Sequence, residues 1–192
     1  MNQKLTSRQI QSQNTYDKIY SIAIELITKN GFDNITVAEI CTVADVSIGS
    51  FYNHFKSKYD ILNEIFKLAD DYFLNIVATN LNEDNTKNNI IKFFYYYAQY
   101  NIDRGLDFVK QLYTGKNNLF TIKGRPMQVV LQNIIENGQD SGEISIDMTS
   151  EEIVRYLFIC VRGIIYDWSL HEGEYDLIDT VNTHVNLLIK TL

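Results

Sequence analysis

The near absence of helix-breaking residues constrains this chain more than any other feature of its sequence. Only one proline, Pro126, occurs in 192 residues. Apolar residues recur at three- and four-residue intervals almost throughout, the spacing that places them on one face of an α-helix. No Gly/Ser-rich linker, low-complexity tract or internal repeat interrupts the pattern. The sequence therefore predicts an all-α fold of about nine helices.

Capping residues place the ends of several of these helices. Gly31 is a plausible C-terminal stop, because glycine tolerates the left-handed cap conformation. Thr36-x-x-Glu39 is a capping-box pattern, and Ser47 and Ser57 are suitable N-caps for the next two helices. The predicted helical segments are about 13–29, 36–44, 47–55, 57–80, 86–103, 105–113, 124–140, 150–171 and 175–192.

Composition narrows the class of protein. Cys41 and Cys160 lie far apart without metal-ligand spacing, which fits a reduced intracellular protein better than a disulfide framework. The first residues are polar and lack the apolar core of a signal peptide. No stretch approaches the ~18 uninterrupted apolar residues of a membrane span. We expect a cytoplasmic protein that makes no membrane contact.

The net charge of −7 argues at first against nucleic acid, because binding to the DNA backbone depends on Lys and Arg. The charge is unevenly distributed. Residues 1–60 hold six basic and six acidic side chains, so the whole excess of acid lies in residues 61–192. The charge sum therefore neither supports nor excludes DNA binding by the first part of the chain.

The segment from Thr36 to Lys58 has the pattern of a helix-turn-helix. Two short predicted helices are joined by a short turn at Asp45-Val46, and Phe51 and Phe55 can hold the second helix on the core. The remaining side chains are mostly small or hydrogen-bonding, which suits the major groove. An ordinary helical hairpin with a solvated surface would show the same spacing. The outward residues of the second helix are Ser47, Ile48, Gly49, Ser50, Tyr52, Asn53 and His54.

The residue string is more specific than the spacing. It contains Gly31-Phe32-x-x-Ile35-Thr36-Val37-x-x-Ile40, then Ala44-x-Val46-Ser47-x-Gly49-x-x-Tyr52-x-His54-Phe55, then Lys56-x-Lys58-x-x-Ile61-Leu62. From Ile19 to about Phe66, this part of the chain resembles the N-terminal DNA-binding domain of the TetR family of bacterial transcriptional regulators. Two departures are mild: Asp45 stands where the family often has Gly, and Cys41 where it often has Ala.

The resemblance implies roles for individual residues. Thr36 begins a helix whose free amides suit a phosphate oxygen, although simple N-capping explains it equally well. Tyr52 and His54 resemble the family's pair of backbone-contacting residues, and Lys58 offers a charge to phosphate. The N-terminal end of the second helix would lie nearest the base edges. The predicted DNA-binding residues are Thr36, Ser47, Ile48, Gly49, Ser50, Tyr52, Asn53, His54 and Lys58.

The resemblance divides the chain into a helix-turn-helix domain, residues 1–66, and an effector-binding and dimerisation domain, residues 67–192. Many aromatic residues in the second domain are consistent with a ligand pocket, although such residues more often form core. Arg162 would hold an anionic ligand or form an interfacial ion pair. We expect homodimerisation through segments 150–171 and 175–192. The predicted ligand-binding residues are Phe94, Tyr97, Phe108, Tyr113, Met127, Phe158, Arg162 and Trp168.

The resemblance implies a repressor that a small, largely apolar or aromatic effector releases from a palindromic DNA operator. A second hypothesis keeps DNA binding and dimerisation but replaces the small molecule with a protein partner, or with no effector. An enzyme is disfavoured, because His54, His171 and His184 lack metal-ligand spacing and no phosphate-binding loop or nucleophile motif occurs. We therefore expect no catalytic residues, no metal and no cofactor.

Overall fold

The computed structural model describes residues 6–113 and 119–192. Within those ranges the regular structure is entirely helical, and nine helices form the framework once the segments from Lys58 to Asn80 are counted as one. The predicted all-α class is confirmed. The chain divides into two compact units, Met1–Phe66 and Lys67–Leu192.

The first unit begins with a helix that is longer than the sequence pattern indicated. Helix α1 starts at Ser7, not near Gln13, because Thr6 caps it in a capping box with Gln9. Apart from Ile10, its first two turns are polar, so apolar periodicity did not indicate them. The helices of this unit are α1 (Ser7–Asn30), α2 (Val37–Val43), α3 (Ile48–His54) and the start of α4 (Lys58–Tyr72).

One apolar core holds α1, α2 and α3 together. Ile19, Ile40, Phe51 and Ile61 are fully buried in it. These residues come from all four helices of the unit, so the core fixes α3 from one side and leaves its opposite side in solvent. Each side chain of this size stabilises the fold by about 1.5–3 kcal/mol when it is withdrawn from water.

Helix α4 changes its winding near its C-terminal end. A π-helical stretch, Phe73–Val77, follows Tyr72, and a last α-helical turn covers Ala78–Asn80. Phe73 and Val77 are fully buried in the second core. A wider turn of this kind adds a residue without ending the helix.

The second unit packs its helices around a larger core. The further helices are α5 (Thr86–Arg104), α6 (Leu106–Leu112), α7 (Pro126–Ser141), α8 (Ser150–Leu170) and α9 (Leu177–Leu188). Helix α5 lies against α7 and α9, and α8 lies against α7 and α9. Gly138 lets α7 approach α5 closely, since a Cβ there would stand 2.5 Å from Thr86 Cγ2.

No helix within the described ranges is long and apolar enough to span a membrane.

Candidate nucleic-acid interface and aromatic cluster

One threonine and one serine cap the N-terminal ends of the two helices in the helix-turn-helix. The Thr36 hydroxyl accepts a hydrogen bond from the Glu39 amide at 3.1 Å, and the Ser47 hydroxyl accepts one from the Ser50 amide at 3.0 Å. Between α2 and α3, Asp45 adopts a left-handed conformation with φ of 48°. That turn conformation favours glycine but is tolerated by aspartate. Although Asp45 stands where the family often has glycine, it adopts the same left-handed conformation, and the turn is retained.

Aromatic packing fixes the orientation of α3. Phe51 and Phe55 are buried, and the Phe55 ring stacks on Tyr16 of α1 with centroids 5.0 Å apart. The Tyr52 ring meets Phe51 edge-on at 5.5 Å while remaining 53% exposed. The buried residues thus determine which face of α3 is free.

The predicted DNA-binding side chains lie on that free face and at its margins. Ile48 is 52% exposed on that face. Ser50, His54 and Lys58 are half-buried. The exposed members of the set are Thr36, Ser47, Ile48, Gly49, Tyr52 and Asn53.

His54 lies at the edge of a pocket that sequence reasoning missed. Its ring meets Tyr16 edge-on at 6.1 Å, and the two side chains line a pocket of about 310 Å³ with Gln9, Ser12 and Gln13. Burial, followed by a hydrogen bond with Glu64, raises the pKa of Tyr16 above its usual range. The Thr6-x-x-Gln9 capping pattern is the sequence feature that could have predicted the N-terminal turns of α1, which line this pocket.

Lys58 is engaged within its own unit. Its Nζ donates to the carbonyl oxygens of Phe32 at 2.8 Å and Ile35 at 2.9 Å, and lies 4.5 Å from the centroid of the Phe32 ring. Two of its three donors are thus directed at backbone acceptors. Lys58 ties the start of α4 to the segment that precedes α2.

In the second unit, three predicted ligand-binding residues form an aromatic cluster. Phe94 and Tyr97 of α5 meet Phe158 of α8 edge-on, with ring centroids 5.6 Å and 5.4 Å away. Edge-to-face arrangements of this kind are favoured by the ring quadrupoles. The Tyr97 and Tyr113 hydroxyls lie 3.5 Å apart.

Arg162 packs against two aromatic rings in this region, those of Phe120 and Phe158. Its guanidinium carbon is 4.6 Å from the Phe120 ring centroid and 4.7 Å from that of Phe158, and Nη1 donates to the Phe120 carbonyl at 3.2 Å. Burial raises the pKa of the Tyr113 phenol well above its usual range, the nearby Tyr97 adds to that shift, and the charge of Arg162 opposes it. We define the aromatic cluster as Phe94, Tyr97, Tyr113, Phe120, Phe158 and Arg162.

The other three predicted ligand residues are buried elsewhere in the unit. The Trp168 indole donates to the Tyr175 carbonyl at 3.1 Å, where α8 turns toward α9. The Met127 amide donates to Asp70 at the start of α7. Among the residues that the structure describes, no ring contact joins Phe108 to the cluster, and no group of three or more His, Cys, Asp or Glu side chains is placed to hold a metal ion.

A helix-turn-helix with an exposed second helix, followed by a helical unit with its own core, defines a DNA-binding regulator. The family model described as "Bacterial regulatory proteins, tetR family" matches residues 19–65 of this chain. A second family model, "YsiA-like protein, C-terminal region", matches residues 116–191. The chain belongs to the TetR family of DNA-binding transcriptional regulators, and the predicted regulatory rather than enzymatic function is confirmed.

Similar proteins cover nearly the whole chain. It is 27% identical to the fatty acid metabolism regulator protein of Bacillus subtilis, over 94% of this chain and 96% of that protein. The structure of FadR from B. subtilis in complex with stearoyl-CoA superimposes with a TM-score of 0.77 at 23% identity, covering 92% of this chain and 99% of that one. FadR of Thermus thermophilus in complex with lauroyl-CoA gives 0.67 at 20% identity, covering 90% and 92%.

Proposed function

We propose that this chain is a dimeric repressor, released from a palindromic operator when a small molecule with a long apolar group binds its second unit. The observation that carries the proposal is the aromatic cluster between α5 and α8, joined in one chain to an exposed helix-turn-helix. Residues 1–66 would bind DNA, and residues 67–192 would bind the effector and the second subunit. Because a bacterial regulator meets its operator DNA inside the cell, we expect the protein to act in the cytoplasm.

The DNA contacts would come from α3 and the helix ends around it. Ser47, Ile48, Gly49 and Asn53 are exposed where base edges would be closest, and Ile48 can meet a thymine methyl group. Tyr52 and Thr36 would contact phosphates. In a two-fold dimer the two copies of α3 would read half-sites about 34–36 Å apart.

The dimer contact would be made chiefly by α8. Ile159, Tyr166 and Leu170 are 58%, 47% and 60% exposed, and they follow one another at helical spacing together with exposed Gly163. We call these four residues the α8 stripe. A contiguous exposed apolar row of this kind marks an interaction surface. Together with α9 it supports a four-helix bundle across a two-fold axis.

The class of effector is supported by both the cluster and the relatives. Rings of α5 and α8 offer an apolar environment for a chain or ring system. The solved structures of two similar regulators hold stearoyl-CoA and lauroyl-CoA. We therefore propose an effector with a fatty acyl or comparable apolar group, as a thioester or as the free acid.

Footprinting of the DNA upstream of the protein's own gene, followed by gel-shift titration with acyl-CoA thioesters and free fatty acids, tests this proposal. We expect a protected palindrome that is released by at least one of these compounds. If that region shows no protected site, fragments of genomic DNA are selected for binding to the protein. Failure of that selection as well would overturn the proposed role as a DNA-binding regulator. A protected site that no apolar compound releases would favour a regulator controlled by a protein partner or by none.

A further inference from the structure

Two of the three guanidinium nitrogens of Arg162 lack a hydrogen-bond acceptor among the described residues. Its Nε and Nη2 are buried, and neither has a hydrogen-bond partner among the described residues. Nη1 alone donates, to the Phe120 carbonyl. A buried guanidinium that lacks an anionic partner is costly, so groups of this kind in native proteins are normally matched by a carboxylate, a phosphate or a ligand.

The partner subunit is a poor candidate for that acceptor. Both unpaired nitrogens are already inaccessible within a single protomer, so a second protomer docking on the outer face of α8 cannot reach them. This argues against the interfacial ion pair that the sequence left open. The acceptor must instead enter from the interior of the unit, on the side of the rings that flank Arg162.

The surroundings of Arg162 suit an acid with an apolar body. The Tyr97 and Tyr113 hydroxyls lie 3.5 Å apart, so one can donate to the other and one phenolic hydrogen is left over. No described residue other than this pair accepts that second hydrogen. The guanidinium and this hydroxyl supply donors, and the rings of Phe94 and Phe158 supply the apolar wall.

We propose that Arg162, with the Tyr97–Tyr113 hydroxyl pair, binds the carboxylate of an apolar carboxylic acid whose hydrocarbon part lies against Phe94 and Phe158. This inference rests on the proposed function, and it names the free acid rather than its thioester as the group at this site. A thioester carbonyl would offer the guanidinium a neutral acceptor, whereas a carboxylate offers two charged oxygens.

Phe120 and Phe158 both lie against the guanidinium of Arg162. Their ring centroids are 4.6 Å and 4.7 Å from its central carbon. Phe158 is 2% exposed within α8, whereas Phe120 is half-buried in a single three-residue helical turn, Leu119–Thr121. The carboxylate oxygens would accept from the unpaired Nε and Nη2, while Nη1 keeps its bond to the Phe120 carbonyl. Phe120, the more exposed of the two rings, is the one that would shift to admit the acid.

Calorimetric titration of the full-length dimer tests the proposal with straight-chain carboxylates from octanoate to palmitate, their matched alcohols and their CoA thioesters. We expect at least one carboxylate to bind more tightly than its alcohol. Arg162→Met should weaken that carboxylate at least about tenfold, the effect of losing a charged hydrogen bond, and leave the alcohol unchanged. Arg155→Met, an exposed arginine on the same helix, is the matched control and should change neither.

Two further measurements separate an anion site from a structural role. The melting temperature of Arg162→Met without ligand should equal or exceed that of the original chain, because the substitution removes an unpaired buried charge. A fall of several degrees would show that Arg162 stabilises the fold instead of serving as an anion site. Arg162→Lys should bind the carboxylate with intermediate affinity. Carboxylate binding no tighter than alcohol binding, or unaffected by Arg162→Met, overturns the inference. Operator release by thioesters alone would overturn it and leave the proposed function standing.

Discussion

At the scale of single residues, Lys58 shows how a side chain that matches a DNA-binding motif can also stabilise the fold. Its ammonium group bridges the carbonyls of Phe32 and Ile35, the residues that lead into α2. The sequence predicted a phosphate contact, which the third donor of the same group still permits. The two roles have different experimental signatures.

Replacing Lys58 with Met should lower the free energy of unfolding of the first unit by about 1–3 kcal/mol, because two carbonyls lose a charged donor. The measurement is denaturant unfolding of the full chain, followed by circular dichroism. Lys56→Met is the control, since Lys56 is exposed, and it should change stability by less than about 0.5 kcal/mol. Unchanged stability in Lys58→Met with weaker operator binding would leave only the phosphate role.

Tyr52 is the complementary case. Its hydroxyl is exposed beside the buried Phe51 ring, so Tyr52→Phe should leave stability within about 0.5 kcal/mol. If the hydroxyl contacts a phosphate, binding to specific and nonspecific DNA should weaken alike. Fluorescence anisotropy with both kinds of DNA measures this. A loss confined to the specific operator would instead assign Tyr52 to base recognition.

At the scale of helices, local signals and long-range contacts differ in how well the sequence predicts them. The caps at Thr36 and Ser47 are local patterns, and the structure begins a helix after each of them. Five of the six residues of the aromatic cluster were predicted, but only as a list and without Phe120, because which rings meet depends on how α5 and α8 cross. The contact of Asp70 with Arg125 joins positions far apart in the chain, and no local pattern announces it.

Asp70 closes the N-terminal end of α7. One carboxylate oxygen accepts from Arg125 Nε at 3.1 Å and the other from the Met127 amide at 3.3 Å, and both side chains are buried. Asp70→Asn keeps the shape but removes the charge and one acceptor oxygen, so we expect a loss of about 3 kcal/mol in unfolding free energy. Asp71→Asn, one residue on and exposed, should have almost no effect. Equal stability of both variants would contradict a structural role for the buried pair.

Tyr175 makes the connection between α8 and α9 sensitive to alkaline pH. Its single hydroxyl hydrogen lies within reach of two acceptors, Asp167 Oδ2 at 2.9 Å and the Ile164 carbonyl at 3.2 Å. Burial, with the hydrogen bond and charge of Asp167, raises the pKa of Tyr175 from 10.0 to about 12. A raised pKa means that the folded state holds the proton more tightly, so the stabilisation is complete below pH 10 and is lost as pH rises toward 12.

Tyr175→Phe should therefore be less stable than the original chain at neutral pH and lose less stability over that alkaline window. Unfolding free energies measured across the window give the comparison. Tyr52→Phe, which removes an exposed hydroxyl, is the control and should follow the original profile. Parallel curves for the original chain and Tyr175→Phe would show that another group governs the alkaline loss.

At the scale of the whole molecule, the neutral charge of the DNA-binding unit makes dimerisation important. Residues 1–60 carry as many acidic as basic side chains, so the sequence-independent attraction to phosphates is weak for a single protomer. Two linked copies of α3 gain affinity because the second half-site is bound at a high effective concentration. In the proposed dimer the same dependence would give the effector its influence, since a small change in the spacing of the two copies would weaken binding to both half-sites.

Breaking the α8 stripe should therefore abolish operator binding without touching the DNA-binding unit. Ile159→Arg places a charge within the α8 stripe, where burying it without a partner is costly. We expect monomers by analytical ultracentrifugation together with loss of operator binding. Ile146→Arg is the matched control: Ile146 is 80% exposed and lies outside the stripe, between α7 and α8, so that variant should remain dimeric and bind DNA. If Ile159→Arg stays dimeric, the subunits pair through another face. If it becomes monomeric yet binds the operator with undiminished affinity, each protomer reads its half-site independently, and release by an effector cannot depend on the spacing of the two copies of α3.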